Sequence, residues 1–288
     1  MIKELTLNDG NKMPLVGFGT YKSTEQEGTE AVAFALKNHY RLIDTAAIYQ
    51  NEAAVGKGIK ASGIDREELF ITTKLWRENL GYESAKKELE KSLKKLDLDY
   101  IDLYLIHWPA NAKNHDNWQK TNADTWRALE ELQTAGKIKS IGVSNFWEEH
   151  LNALFQTANV IPAINQIEFH PGYWQRELVA FCKAHHIAVE SWSPLARGKV
   201  LENEILKGIA QAHHQSVAKI CLRWVLQHNV VVIPKSSTQD RIKENIKLFD
   251  FELTSHEMKQ IDNLPQMGFS GELPNHWPDR VQLNSGEN

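Results

Sequence analysis

The chain contains few cysteines and no long apolar run. Only Cys182 and Cys221 occur among its 288 residues, each within an apolar segment of helical spacing. This scarcity excludes a disulfide framework and a thiolate metal site, and it suits a reducing compartment. No apolar run approaches the roughly 20 residues that cross a bilayer, and the N-terminal segment has no apolar signal core. We therefore expect a cytoplasmic protein without a membrane partner.

Excess positive charge is also missing. The formal net charge is −4, so the chain lacks the positive field of nucleic-acid-binding domains, and we expect no nucleic-acid partner. A local cationic pocket for one phosphate group is compatible with this charge. The pattern Gly-x-Gly-x-x-Gly does not occur, which argues against a doubly wound dinucleotide-binding fold. The histidine pairs 185–186 and 213–214 have no carboxylate at ligand spacing, and adjacent residues of a helix point apart, so we predict no metal site.

The sequence does contain a regular alternation of short apolar runs and segments of helical period. Each apolar run precedes a helix-period segment, and the runs begin near residues 15, 41, 69, 100, 138, 161, 187 and 230. Leu89, Leu93 and Leu96, for example, recur three and four apart. Thr121 to Leu132 predicts another helix, which ends before Gly136. Eight strand–helix units with right-handed crossovers predict an α/β fold, a closed (β/α)8 TIM barrel, which needs about 250 residues.

The length predicts one barrel domain over residues 1–288 with two additions. Residues 1–14 predict a β-hairpin, because alternating residues flank a turn sequence, and we expect it to cap the barrel floor. Residues 265–288 predict a C-terminal substrate loop, and Pro109 to Lys120 forms a second long connection. Long connections at the C-terminal face of a barrel usually shape the substrate site, so both are candidate lids; a disordered tail is the alternative.

Polar side chains close three of the apolar runs. Asp44 ends the second run, Lys74 the third and His107 the fourth, and Tyr49 follows shortly after Asp44. The C-terminal ends of barrel strands meet at one mouth, where TIM-barrel enzymes place their catalytic residues. Singly, these residues could be a helix cap, a surface ion pair or a core imidazole. Together around one mouth they predict an active site.

Six stretches along the chain carry a family resemblance. In order they are Gly17-Phe18-Gly19-Thr20-Tyr21, Ile43-Asp44-Thr45-Ala46 with Tyr49, Lys74-Leu75-Trp76, His107-Trp108-Pro109, Gly142-Val143-Ser144-Asn145-Phe146 and Ile233-Pro234-Lys235-Ser236. With these stretches the chain resembles the aldo-keto reductase family over nearly all its length, and within it the bacterial NADPH-dependent reductases of the diketogluconate and methylglyoxal type. The resemblance implies reversible, NADPH-dependent reduction of aldehydes and ketones, with the four mouth residues as the catalytic tetrad.

Physical chemistry independently favours these roles. Carbonyl reduction needs a hydride and an acid that protonates the oxygen as negative charge develops there, and Tyr49 is the predicted acid. A phenol has a pKa of about 10, and an ammonium at ~4 Å is worth about three pKa units at an effective dielectric of 20. We therefore expect Lys74 to lower the pKa of Tyr49 toward neutrality, while Asp44 keeps Lys74 charged. His107 is expected to orient the carbonyl or assist proton transfer, according to its protonation state.

The second half of the barrel is expected to hold the cofactor. The resemblance assigns the nicotinamide carboxamide to Ser144, Asn145 and Gln166. It assigns a ring stacked on the nicotinamide to Trp192, where many relatives have Tyr. Further predicted cofactor contacts are Gly19, Thr20, Ser193 and Leu195. For the polar positions, capping of strand-end turns is the alternative.

The residues around the end of the eighth strand predict a preference for NADPH over NADH. Three end the strand and three follow on one predicted helical face: Lys235, Ser236, Thr238, then Arg241, Glu244 and Asn245. The resemblance assigns this cluster to the adenosine 2′-phosphate. A lysine charge, hydroxyl donors and a guanidinium suit an anion at a helix start. An exposed charged helix is the alternative for Arg241 and Glu244.

Three aromatic residues follow the first, third and fourth strands: Tyr21, Trp76 and Trp108. They predict an apolar substrate-binding rim over the tetrad, with core packing as the alternative. Aromatic walls with few directional polar groups favour broad specificity for small carbonyl compounds. The choice among a sugar keto acid, a dicarbonyl and a simple aldehyde depends on the two long connections.

Two other functions fit parts of the pattern. Lys74 at a strand end is also where the imine-forming lysine of a barrel lyase occurs, although Asp44 and Tyr49 argue against this. Relatives of this fold also serve as non-catalytic, cofactor-binding regulatory proteins, whereas the intact tetrad favours an enzyme. Because no large apolar outer face is indicated, we expect a monomer.

Overall fold

Strands and helices alternate throughout residues 3–276 and 279–281, which the computed structural model describes. The strands are β1 (Glu4–Thr6), β2 (Lys12–Pro14), β3 (Gly17–Gly19), β4 (Leu42–Asp44), β5 (Phe70–Leu75), β6 (Ile101–Ile106), β7 (Ile138–Ser144), β8 (Ile164–Glu168), β9 (Ala188–Trp192) and β10 (Val231–Val232). The helices are α1 (Glu25–Lys37), α2 (Glu52–Ser62), α3 (Tyr82–Leu96), α4 (Trp118–Thr134), α5 (Glu148–Phe155), α6 (Arg176–Ala184), α7 (Glu204–Ala212), α8 (Val217–Gln227), α9 (Gln239–Asn245) and α10 (Ser255–Asp262). None of these helices is long and apolar enough to cross a membrane.

The strands β3 to β10 pair in sequence order as one parallel sheet, and its edges meet. Val16 forms a parallel bridge with Val232, and the Val232 amide donates to the Leu15 carbonyl oxygen at 3.0 Å. The predicted (β/α)8 barrel is therefore confirmed. Two helices follow β9 and two follow β10, whereas the sequence predicts one helical segment after each strand.

The inside of the barrel changes from apolar to polar along β4, β5 and β6. Leu42, Phe70 and Leu103 pack together in an interior cluster, whereas Ile43 and Ile71, one residue further along, pack into the separate cluster that includes the helices. Because side chains of a strand alternate between its two faces, residues an even number of positions further on again point inward. Residues 44, 74 and 107 lie two or four positions after these inward-pointing residues. They therefore also point inward and lie above the apolar interior.

The N-terminal hairpin closes the apolar end of the barrel. Strands β1 and β2 pair antiparallel, and Leu7 and Met13 join the interior cluster. Asn8 Nδ2 donates to the Pro162 carbonyl oxygen at 3.0 Å, and Asn11 Nδ2 donates to Ser140 Oγ at 3.0 Å. The predicted hairpin is confirmed.

The two long connections meet at the opposite end. Asn111 Nδ2 donates to the Pro274 carbonyl oxygen at 2.6 Å, and Lys113 Nζ lies 2.8 Å from Asp279 Oδ2. Helix α4 begins at Trp118, so the first connection is shorter than predicted. Of the predicted C-terminal loop, residues 277–278 and 282–288 lie outside the described residues, as do residues 1–2 of the predicted hairpin.

Candidate active site

An ion pair between Lys74 and Asp44 occupies the centre of the mouth. Lys74 Nζ lies 2.7 Å from Asp44 Oδ1 and donates a second hydrogen bond, of 2.8 Å, to the Thr45 carbonyl oxygen. Both side chains are buried. Removing an isolated charge from water at this depth costs several kcal/mol, so each charge depends on the other.

A second buried carboxyl group joins this pair through an amide. Gln166 Nε2 donates to Asp44 Oδ2 at 2.9 Å and to Glu190 Oε2 at 2.7 Å. Strand β8 supplies the amide and β9 the new carboxyl, in register with each other. Burial, followed by the charge of Asp44, raises the pKa of Glu190 to about 8. A polar network therefore crosses the barrel from β4 to β9.

Tyr49 lies beside this network, in a short 3-10 turn (Ala47–Tyr49) that follows β4. The centre of its ring is 5.2 Å from Lys74 Nζ, 5.7 Å from the His107 ring and 5.0 Å from the Tyr21 ring. The structure thus brings all four predicted catalytic residues together at one opening.

The electrostatic effect on Tyr49 differs from the expectation. Burial, followed by the charge of Asp44, raises the pKa of Tyr49 well above its ordinary value. The prediction that Lys74 lowers this pKa toward neutrality is wrong, because Asp44 neutralises the ammonium at 2.7 Å and the ammonium lies over the Tyr49 ring. Tyr49 therefore keeps its proton throughout the neutral pH range.

His107 is uncharged at neutral pH. Burial, followed by the positive charges of Lys74 and Arg77, lowers the pKa of His107 well below its ordinary value. Its Nδ1 atom is buried and has no hydrogen-bond partner among the described residues. The Trp76 ring packs edge-on against the imidazole, with ring centres 5.3 Å apart. The protonation state that the sequence leaves open is thus the neutral one.

The residues predicted to hold the nicotinamide are hydrogen-bonded to one another. Ser144 Oγ donates to the Gln166 carbonyl oxygen at 2.8 Å, and Trp192 Nε1 donates to Asn145 Oδ1 at 2.8 Å. Asn145 Nδ2 donates to the His107 carbonyl oxygen at 3.0 Å, which links this cluster to the tetrad. Among the described contacts, the Gln166 side-chain oxygen accepts no hydrogen bond. It is therefore an uncommitted acceptor beside the ion pair.

Other predicted cofactor contacts end or follow strands β3 and β9. A Cβ atom at Gly19 would lie 2.9 Å from the Ile233 carbonyl oxygen, so only glycine fits there. Thr20 is buried, and its hydroxyl donates to the Asp44 carbonyl oxygen at 3.0 Å. Ser193 begins a loop with positive φ, 50°, and Leu195 is half-buried in it.

The charged cluster after β10 lies at the surface. Lys235 and Arg241 are exposed, and within the described part of the chain neither forms an ion pair. Ser236 Oγ accepts from the Thr238 amide at 3.1 Å. Asn245 is buried, so this part of the predicted helical face is less accessible than Arg241. Glu244 is half-buried.

The predicted aromatic rim is only partly open. Tyr21 is 44% exposed and Trp76 is half-buried, and these two contact Tyr49 and His107. Trp108 is 5% exposed. Tyr21 and Trp76 are thus the accessible apolar surfaces beside the tetrad.

Two buried acidic residues of β8 and β9 were not predicted. Besides Glu190, Glu168 ends β8 and accepts from the Ser270 amide at 2.9 Å and the Ser270 hydroxyl at 2.7 Å, which ties the C-terminal segment to the barrel. Each is an acidic residue in a buried position of a strand, and the acidic residue itself is visible in the sequence.

Metal ligands are not clustered in the described part of the chain, where no group of three or more His, Cys, Asp and Glu side chains could hold an ion. The histidine pairs end helices instead of lying within them: His185 caps α6 and His213 caps α7. His186 and His214 then adopt positive φ angles of 57° and 52°. The two histidines of each pair are therefore directed apart by the end of a helix and not by its regular geometry.

Comparison with known proteins agrees with this geometry. The model of the aldo/keto reductase family matches residues 15–265. The chain belongs to the aldo/keto reductase family. Membership covers the whole barrel and supports an oxidoreductase, as does the likeness to named reductases of the family.

Among the similar members is the glyoxal reductase of Bacillus subtilis (strain 168), 53% identical over 259 residues, which cover 90% of this chain and 91% of that protein. The methylglyoxal reductase DkgA of Yersinia pestis is 47% identical over 262 residues, 90% of this chain and 92% of that protein. A crystal structure of a Bombyx mori aldo-keto reductase in complex with NADP has a TM-score of 0.84 and 39% identity, covering 91% of this chain and 92% of that one.

Proposed function

We propose that this protein is an NADPH-dependent reductase of small aldehydes and ketones, in which Tyr49 protonates the carbonyl oxygen. The observation that carries the proposal is the position of a protonated Tyr49 and a neutral His107 around the buried Asp44–Lys74 pair. These are the groups that carbonyl reduction requires beside a hydride donor.

The raised pKa of Tyr49 suits a proton donor. The phenol holds its proton at neutral pH and releases it only as negative charge develops on the substrate oxygen. Lys74, 5.2 Å from the ring centre, is a cation beside the phenolate that remains. Asp44 keeps the ammonium in place, and neutral His107 carries one N–H that can donate to the carbonyl oxygen.

The residues of the second half of the barrel fit a phosphorylated nicotinamide cofactor. When bound, NADPH supplies the hydride. The Gln166 side-chain oxygen can accept from the carboxamide, and Trp192 offers an indole face beside it. Lys235 and Arg241 are exposed cations without ion-pair partners among the described residues, so they are available to a 2′-phosphate. The NADP complex of the Bombyx mori relative supports the same cofactor.

The substrates that fit best are small and reactive, dicarbonyls included. Tyr21 and Trp76 provide apolar walls close to the tetrad, and such walls impose few directional demands on a ligand. Two similar proteins are named glyoxal reductase and methylglyoxal reductase, which supports dicarbonyls within a broad range.

The environment of Lys74 disfavours a Schiff-base lyase. An imine-forming lysine must reach the substrate as a free amine. Lys74 is fully buried and donates to both Asp44 and Thr45. Borohydride treatment with a carbonyl substrate should therefore leave no adduct on this residue.

The test is the variant Tyr49→Phe. We expect its turnover of methylglyoxal with NADPH to fall by about 10²- to 10⁴-fold, because the proton donor is lost. NADPH should still quench the tryptophan fluorescence with an unchanged dissociation constant. The matched control is Tyr21→Phe, which removes a hydroxyl from the neighbouring ring and should keep near-normal turnover. Near-normal turnover of Tyr49→Phe would overturn the proposal.

A further inference from the structure

Glu190 is a fully buried carboxyl group that the proposed reaction does not use. Its Oε2 atom accepts from Gln166 Nε2 at 2.7 Å, and its Oε1 atom is buried with no hydrogen-bond partner among the described residues. A buried polar atom without a partner costs free energy, so an acid at this position needs a functional reason.

Glu190 helps to fix the orientation of Gln166. The same Gln166 nitrogen donates to Asp44 and to Glu190, which uses both of its hydrogens. Asp44 is ionised in its pair with Lys74, so it can only accept, and the amide nitrogen must face it. The amide oxygen of Gln166 consequently points away from both acids and remains available as an acceptor.

Charge around Glu190 is balanced only while Glu190 is protonated. The groups that face it are Asp44 from β4, Lys74 from β5 and Gln166 from β8, with Tyr49 in the adjacent turn. On the β10 side its register partner is the uncharged Val231. Asp44 and Lys74 cancel each other, so ionisation of Glu190 adds one uncompensated negative charge to the interior. Burial and Asp44 place that ionisation near pH 8 through the raised pKa of Glu190.

We propose that Glu190 is a positioning residue of the nicotinamide site: it holds the Gln166 amide oxygen toward the cofactor, and its ionisation strengthens binding of the oxidised cofactor relative to the reduced one. The inference rests on the proposed function. The oxidised nicotinamide ring carries a positive charge and the reduced ring does not. A buried negative charge one hydrogen bond away from Gln166 therefore favours the oxidised form.

The experiment compares dissociation constants for NADP⁺ and NADPH, measured by quenching of tryptophan fluorescence at about pH 6.5 and about pH 9.5, on either side of the Glu190 titration. The ratio of the two constants cancels effects that both cofactors share, such as titration of the 2′-phosphate. In the wild-type protein we expect the ratio of NADP⁺ to NADPH constants to fall about tenfold as pH rises. Tyr49 and His107 do not titrate within this interval, because their pKa values are displaced to either side of it.

Two substitutions separate the positioning of Gln166 from the charge of Glu190. Glu190→Gln keeps an oxygen that can accept from Gln166 but cannot ionise, so both cofactors should bind and the ratio should be independent of pH. Glu190→Leu removes both features, and we expect both dissociation constants to rise. Glu168→Gln is the control, since it neutralises a buried acid of the neighbouring strand that is bonded to Ser270 instead, and it should keep the wild-type shift.

A wild-type ratio that does not change with pH overturns the role of the charge without any variant. A Glu190→Gln protein that shifts as the wild type does would also overturn it. Unchanged constants in a folded Glu190→Leu protein, checked by circular dichroism, would overturn the positioning role. If the wild-type protein binds neither cofactor, the proposed function fails, and that outcome is distinct from tight binding with a constant ratio.

Discussion

The floor and the mouth of the barrel are built from the same strands, yet they bury opposite kinds of side chain. At the floor, Leu42, Phe70 and Leu103 pack against the hairpin in an apolar cluster. A few residues further along these strands, Asp44 and Lys74 are buried as charges. The floor therefore supplies stability, whereas the mouth retains groups that cost stability and are kept for chemistry.

The largest expected effect breaks the charge balance of the mouth. Lys74→Met leaves Asp44 buried without a counter-charge, and we expect the free energy of unfolding to fall by about 3–5 kcal/mol, as measured by urea denaturation. The double variant Asp44→Asn with Lys74→Met should recover most of this loss while remaining inactive. A single variant as stable as the wild type would contradict the interdependence of the pair.

The matching change at the floor should separate stability from activity. Leu103→Ala removes a fully buried side chain of the interior cluster, and we expect a loss of about 3 kcal/mol in unfolding free energy. The kcat of the folded protein should stay near the wild-type value. If kcat falls while stability holds, the division between floor and mouth is wrong.

A smaller effect on the free energy of unfolding, which depends on pH, is expected at Glu190. Its pKa in the folded state is about 8, against an ordinary value of 4.5, so the folded protein binds the proton more tightly. Stability from this group is complete at pH values below about 4.5 and declines as pH rises through about 8. Glu190→Gln should remove this decline and be more stable than the wild type by a few kcal/mol at about pH 9. Parallel pH profiles of unfolding free energy for the two proteins would argue against a buried acid.

The smallest effect is on cofactor affinity and concerns the exposed charge of Arg241, at the rim of the mouth. Arg241→Ala should raise the dissociation constant for NADPH about tenfold, or about 1.4 kcal/mol, and leave that for NADH unchanged. Arg127→Ala, on the exposed surface of α4, is the matched control and should alter neither constant. Equal losses for both cofactors would contradict recognition of the 2′-phosphate.

The barrel was predictable because burial on both faces of a strand imposes a recognisable apolar run, as in Ile101–Ile106, and helices between such runs show their own period. The meeting of Asp44, Lys74 and His107 followed from that topology. The pKa of Tyr49 did not follow from the topology. It depends on whether Lys74 lies closer to Asp44 or to the Tyr49 hydroxyl, and strand order does not fix distances of a few ångströms. Glu190 and Glu168 were visible as acids within predicted strands. Their partners, Gln166 and Ser270, were not predictable, because they are set by packing between strands and by the course of the C-terminal segment.

The hairpin under the barrel has a consequence for kinetics. Because that end is sealed and the interior is packed with side chains, the mouth is the single entrance to the site, and two ligands that react there must use the same route. The ligand that lies deeper has to arrive first and leave last. For the proposed reaction with NADPH, a compulsory order of addition is therefore expected if the coenzyme takes the deeper position, because Leu7 and Met13 close the other end of the barrel.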